Sequence, residues 1–125
     1  MIKAIKKFVG MCLLIANSTI PNYSFAQFIN IHDFGQLSVT NGLFPRGSLI
    51  SDGSYLYGMT SWGGTQDSGV VFKIKPDGTG YTDLHDFGNS INGSFPYGSL
   101  YSDGSYLYGM TQYGGTGSGT YNCGV

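Results

Sequence analysis

At 125 residues, with 21 glycines, 10 tyrosines and 8 phenylalanines but few charges, the chain has enough apolar material for one modest domain and too much for a disordered segment. Glutamate is absent, and the weight on Gly, Ser, Thr and Tyr favours strands and tight turns over helices. Lys3, Lys6 and Lys7 sit together at the N-terminus, and beyond them Arg46, Lys73 and Lys75 face Asp33, Asp52, Asp67, Asp77, Asp83, Asp86 and Asp103, so no basic stripe exists for nucleic acid.

Residues 1–26 read as a secretory signal peptide. Residues 2–7 supply a positive start, residues 8–16 (FVGMCLLIA) an apolar run, and Ser24-Phe25-Ala26 the small residues a signal peptidase requires. Cleavage is expected between Ala26 and Gln27. The apolar run is shorter than the roughly 20 residues of a membrane span, and Asn17, Ser18 and Pro21 break it, so no span is expected after signal removal. Cys12 lies inside this run and its surroundings are a poor lipobox. Cys123 is then alone in the mature chain, with no basic or His neighbour to make it reactive, and it is expected to be buried or paired outside this sequence.

Residues 27–34 (QFINIHDF) predict a strand. Residues 36–46 and 89–97 predict two equivalent surface loops that differ in length and share Asn-Gly and Phe-Pro signals. Residues 48–65 (SLISDGSYLYGMTSWGGT) return at 99–116 (SLYSDGSYLYGMTQYGGT), and only Ile50/Tyr101, Ser61/Gln112 and Trp62/Tyr113 differ. Near-identity at a fixed offset marks a tandem repeat. Each copy predicts a hairpin: a short strand at 48–51, a two-residue turn at Asp52-Gly53, and a return strand at 54–60. Both faces of SYLYGMT carry apolar residues, so burial on both sides is expected. Gly58 and Gly109 point to an aromatic ring or another backbone lying against them. Residues 62–69 predict a glycine-rich loop, 70–75 (VVFKIK) a third strand, 76–80 a turn and 81–87 (YTDLHDF) a fourth strand.

The fold class expected is all-β, built of antiparallel four-stranded repeats of β-propeller-blade type in an incomplete array. Residues 27–47 end a first repeat, 48–98 form a full one and 99–125 a truncated one, with Cys123-Gly124-Val125 standing where Ser68-Gly69-Val70 stand before. The expectation is that this is part of a longer array, or that it associates with itself to cover open strand edges.

The run GVVFKIKPDGTGYTDLHDFG followed by GSL, DG, LYGMT and GGT resembles the GloVer-type tandem repeat of bacterial "choice-of-anchor" surface proteins. The resemblance implies export, repetition and a propeller-like fold, and it brings no catalytic residues with it.

The recurring His32-Asp33 and His85-Asp86 pairs have the chemistry of a general acid and base, but a catalytic group is needed once and a packing group in every repeat, so a structural role is expected. Asp52 and Asp103 each offer one carboxylate per turn, far from a calcium site. No metal or other cofactor is implied. Trp62 and Tyr113 share one repeat position and vary between copies, which makes them the candidate ligand-binding residues. The expected role is a non-enzymatic structural or binding scaffold at the cell surface, with a glycan or a surface protein as partner. The alternatives are a carbohydrate-binding propeller module using Trp62 and Tyr113, and the N-terminal part of a secreted hydrolase whose active site lies beyond residue 125.

Overall fold

The computed structural model describes residues 2–7, 26–35, 39–88, 91–115 and 124–125. Cys12, Cys123 and most of the expected signal segment lie outside the described residues. Ten strands are described: β1 (Ile2–Lys7), β2 (Ala26–His32), β3 (Leu43–Ser51), β4 (Leu56–Trp62), β5 (Val70–Ile74), β6 (Thr82–Asp86), β7 (Ser94–Pro96), β8 (Tyr101–Ser102), β9 (Leu107–Tyr108) and β10 (Thr111–Tyr113). A single 3-10 turn spans Val39–Asn41, and there is no α-helix among the described residues. The protein is all-β as expected.

Its centre is a four-stranded antiparallel sheet in the order β3-β4-β5-β6. The two hairpins and the third and fourth strands of the repeat stand where the sequence places them. The second copy repeats the first at an offset of 51. Leu43 pairs with Trp62 as Ser94 pairs with Tyr113, Pro45 with Thr60 as Pro96 with Thr111, and Ser51 with Leu56 as Ser102 with Leu107. Gly124 N–H donates to the Gly114 carbonyl as Gly69 N–H donates to that of Gly63, so Gly124 and Val125 hold the places of Gly69 and Val70.

Alternation along β4 and β5 divides the sheet into two faces. On one, Val70, Phe72 and Ile74 are fully buried beneath Ile29, Ile31 and Phe34 of the β2 segment, with Leu56 and Tyr81 at the margin. The Phe72 ring lies 5.1 Å from that of Phe34 and 5.6 Å from that of Tyr81. It also covers Gly58, where a Cβ would fall 2.7 Å from Phe72 Cζ. The ring over the strand glycine is therefore real in the first copy. On the other face, fully buried Met59 meets the second copy, its sulfur 3.1 Å from where Gly109 would carry a Cβ.

The two copies meet at equivalent residues. Ser48 N–H donates to Ser99 Oγ at 2.8 Å, and a Cβ on Gly47 would stand 1.9 Å from the Gly98 carbonyl oxygen. Residues 51 apart thus stack on one another, and only glycine allows the approach.

Three local expectations are corrected. Residues 43–47 form the first half of β3 rather than a loop. Proline there is tolerated because β3 is an edge strand, and the irregularity between Arg46 and Ile50 absorbs Gly47. Phe44 and Phe95 take positive φ of 53° and 55°, an unusual conformation for a bulky residue that recurs at the repeat offset. The hairpin turn is centred on Gly53-Ser54, since Asp52 N–H bonds to the Tyr55 carbonyl. Gly53 has φ 93°, and the Asp52 side chain accepts from Ser54 N–H, Tyr55 N–H and the Tyr57 hydroxyl instead of sitting in the turn. Trp62 and Tyr113 close their strands rather than opening a loop. Ala26 and Gln27 begin β2, which pairs antiparallel with β1, Lys7 opposite Ala26 and Lys6 opposite Gln27.

Candidate functional site

The aromatic positions singled out in the sequence come together at the seam between the copies. Trp62, at the end of β4, is 43 % exposed and Tyr113, at the end of β10, is 50 % exposed. Phe95 stands between them. Its ring centroid is 4.7 Å from Trp62 and 6.0 Å from Tyr113, edge to face in both contacts. The positive φ of Phe95, just before buried Pro96, fixes the backbone from which that ring projects.

These residues line a cleft of about 260 Å³ with Arg46, Ser61, Tyr97 and Gln112. The Arg46 guanidinium lies over the Tyr97 ring, 5.5 Å from its centroid, a cation–π contact that joins the copies. Gln112 donates its side-chain N–H to the Tyr113 hydroxyl at 3.2 Å. The floor is held by Thr60, whose hydroxyl donates to the Trp62 carbonyl at 2.9 Å and accepts from Val70 N–H at 3.2 Å. Thr111 repeats the arrangement with Tyr113 and Val125.

The cleft residues fall into repeat pairs: Arg46 with Tyr97, Ser61 with Gln112, Trp62 with Tyr113. All three pairs differ in identity. Two of the three differences in the near-identical 18-residue stretch therefore line one cleft. The third, Tyr101, lies elsewhere, exposed and tilted 6.2 Å from Tyr108.

A family model described as the Gloeobacter/Verrucomicrobia repeat matches residues 17–123. The chain belongs to this repeat family. In this Gloeobacter/Verrucomicrobia repeat protein the match takes in both copies and the cleft, and it begins inside the segment expected to be a signal peptide. Neither a comparison with curated proteins nor one with solved structures returns a match.

The histidine-aspartate pairs of the repeat serve packing. His32 stacks on Tyr81, with centroids 4.3 Å apart and planes 7° from parallel, and meets Phe34 edge-on. Burial holds its pKa below the ordinary value, against the pull of Asp33 and Asp83. His85 meets Phe87 edge-on at 4.8 Å. Asp86 accepts from the Thr65 hydroxyl, and Asp33 from the Asn30 amide. The Tyr81 hydroxyl donates to the Asn41 carbonyl and is pushed well above the usual tyrosine range, chiefly by burial. No group of three or more His, Cys, Asp or Glu able to hold a metal stands among the described residues, and no helix there is long and apolar enough to cross a membrane.

Phe95, Arg46 and Tyr97 were not singled out from the sequence. Phe44-Pro45 and Phe95-Pro96 had the look of loop chemistry. The recurrence of Phe at an offset of 51, directly before proline, was the available signal.

Proposed function

We propose that this protein is a segment of an exported β-propeller-type repeat scaffold that acts at the cell surface by binding rather than by catalysis. Its ligand contact is the cleft bordered by Trp62, Phe95 and Tyr113. The observation that carries the reading is the convergence of copy-to-copy differences. Where two copies share nearly every residue, their framework is held constant by packing. Within the near-identical stretch, two of the three pairs that differ border one half-exposed aromatic cleft, as a surface tuned to a ligand would require. The four-stranded antiparallel sheet of the full unit, with apolar residues on both faces of β4 and β5, supports the blade reading, since units stacked side by side bury both faces. The N-terminal charge, apolar run and Ser24-Phe25-Ala26 support export.

The chemistry of the cleft suits a saccharide ring. Exposed edges of Trp62 and Tyr113 offer apolar faces for its C–H surface, and Arg46 and Gln112 offer donors to its hydroxyls. The test is binding of the chain to a panel of immobilised glycans, beside the variant carrying Trp62→Ala and Tyr113→Ala. Selective binding that the double variant loses is the expected result. Binding unchanged in the double variant, or no glycan held above background, rejects the saccharide reading.

A further inference from the structure

The aromatic cleft carries one formal charge, and it is positive. Among the described residues that border it, Arg46 alone is ionised, and none of the aspartates is among them. The chain has six basic side chains, and Lys3, Lys6 and Lys7 take three of them, so beyond Ala26 acids outnumber bases. A cation in such a chain has acids to choose from, and Lys75 acts on Asp77 through its charge. Arg46 instead rests on the Tyr97 ring, and among the described residues no carboxylate pairs with it. A ring face offers no oxygen to a guanidinium, so its five N–H donors await an acceptor from outside.

The cation and its platform are both held by backbone. Arg46 pairs with Met59 across β3 and β4, in the first copy. Tyr97 N–H donates to the Met110 carbonyl at 3.2 Å, in the second. Both side chains are exposed, so the guanidinium is open to a ligand. The other polar groups of the cleft are neutral and partly engaged. The Ser61 hydroxyl donates to the Phe44 carbonyl at 3.1 Å, and Gln112 donates to the Tyr113 hydroxyl.

We propose that the saccharide held in this cleft is an acidic one, a uronic acid whose carboxylate takes the Arg46 guanidinium while its ring lies against Trp62 and Tyr113. This rests on the saccharide reading of the cleft. A planar carboxylate accepts two parallel N–H bonds from one guanidinium, and those bonds are charge-assisted; a sugar hydroxyl offers neither feature. No acid on the border of the cleft opposes it. Aspartates elsewhere repel a long polyanion, so short oligomers are the fitting probe.

Trp62 is the one tryptophan of the chain, so its fluorescence reports on the cleft directly. The experiment titrates the full chain, at neutral pH and low salt, with short uronic-acid oligomers. Each is used as the free acid and as its methyl ester, which keeps the ring and removes the charge. Neutral and sulfated oligomers are titrated beside them. The free acid should bind about fivefold more tightly than its ester, the worth of one exposed ion pair of good geometry. That difference should disappear in Arg46→Gln and shrink at high salt. Equal binding of acid and ester, or binding of neutral oligomers alone, overturns the proposal and leaves the saccharide reading standing. A preference for the acid that persists in Arg46→Gln also overturns it, because the anion then sits elsewhere. Tighter binding of sulfated oligomers than of uronic acids overturns the choice of carboxylate. Binding of no oligomer at all overturns this proposal and the saccharide reading together.

Discussion

Replacing Thr60 by valine removes one hydroxyl and changes almost nothing else in shape. That hydroxyl is fully buried and serves two partners, accepting from Val70 N–H and donating to the Trp62 carbonyl. Val70 is itself fully buried, so its N–H loses a partner that water cannot replace. An unsatisfied buried donor costs about 1–3 kcal/mol. Trp62 is half-exposed, and solvent can take up its carbonyl at small cost. Thr60→Val should therefore destabilise the chain by about 2 kcal/mol, moving a urea midpoint down by about 1 M for a typical slope. Thr60→Ser keeps both hydrogen bonds and loses one buried methyl, a cost of about 1 kcal/mol. The two substitutions separate polar satisfaction from strand propensity, because valine is the better strand former and the closer match in volume. Urea unfolding followed by far-ultraviolet circular dichroism measures the order, and avoids reporting through Trp62, which sits beside the change. A valine variant as stable as the parent chain, or a serine variant less stable than the valine one, refutes the reasoning.

Three further outcomes follow from the geometry. The pKa of His32 is lowered in the folded state, chiefly by burial, so its contribution to stability is complete above the ordinary value of 6.5 and is lost as pH falls toward the folded value. Asp83, raised by burial and close to His32, acts in the opposite sense at lower pH, its contribution being complete below 3.8 and lost as pH rises through its folded value. Thermal midpoints should drop between pH 7.5 and 5.5, and His32→Gln should flatten that drop. At Phe44, φ of 53° is held by a residue that is largely exposed, so Phe44→Gly should be more stable than Phe44→Ala by about 1 kcal/mol in thermal melts; the reverse order would show that the left-handed backbone carries no strain there. N-terminal sequencing of the exported protein should begin at Gln27. Export with residues 2–7 retained would instead favour the β1–β2 pairing as a feature of the mature protein.

The sequence made the framework legible because it repeats. Alternation in SYLYGMT identified β4 with apolar residues on both faces, the β-branched residues of VVFKIK identified β5, and the recurrence of Gly58 pointed to a backbone or a ring against it, which is the ring of Phe72. The edge half of β3 was not legible. Phe44-Pro45 carries turn chemistry, and only the pairing of Pro45 with Thr60 and Leu43 with Trp62, a long-range fact, makes it a strand. The turn frame slipped by one because Asp52 acts through its side chain, which a dipeptide signal does not distinguish from a backbone role. Trp62 and Tyr113 were found through their variation between copies. That Phe95 and Arg46 join them depends on how two units stack, and local pattern holds no record of that distance.

Ser48 N–H reaching Ser99 Oγ joins two copies of one residue through different atoms, so the contact has a direction. Ser99 presents forward the donor that Ser48 has already used, and Ser48 presents backward the acceptor that Ser99 has already used. A contact of this kind never closes on itself in a pair, as a two-fold interface does. It sets a polarity along the row, and each added unit inherits the end chemistry of the one before it. Gene duplication could then lengthen such a protein by one unit, or shorten it by one, without inventing a new surface.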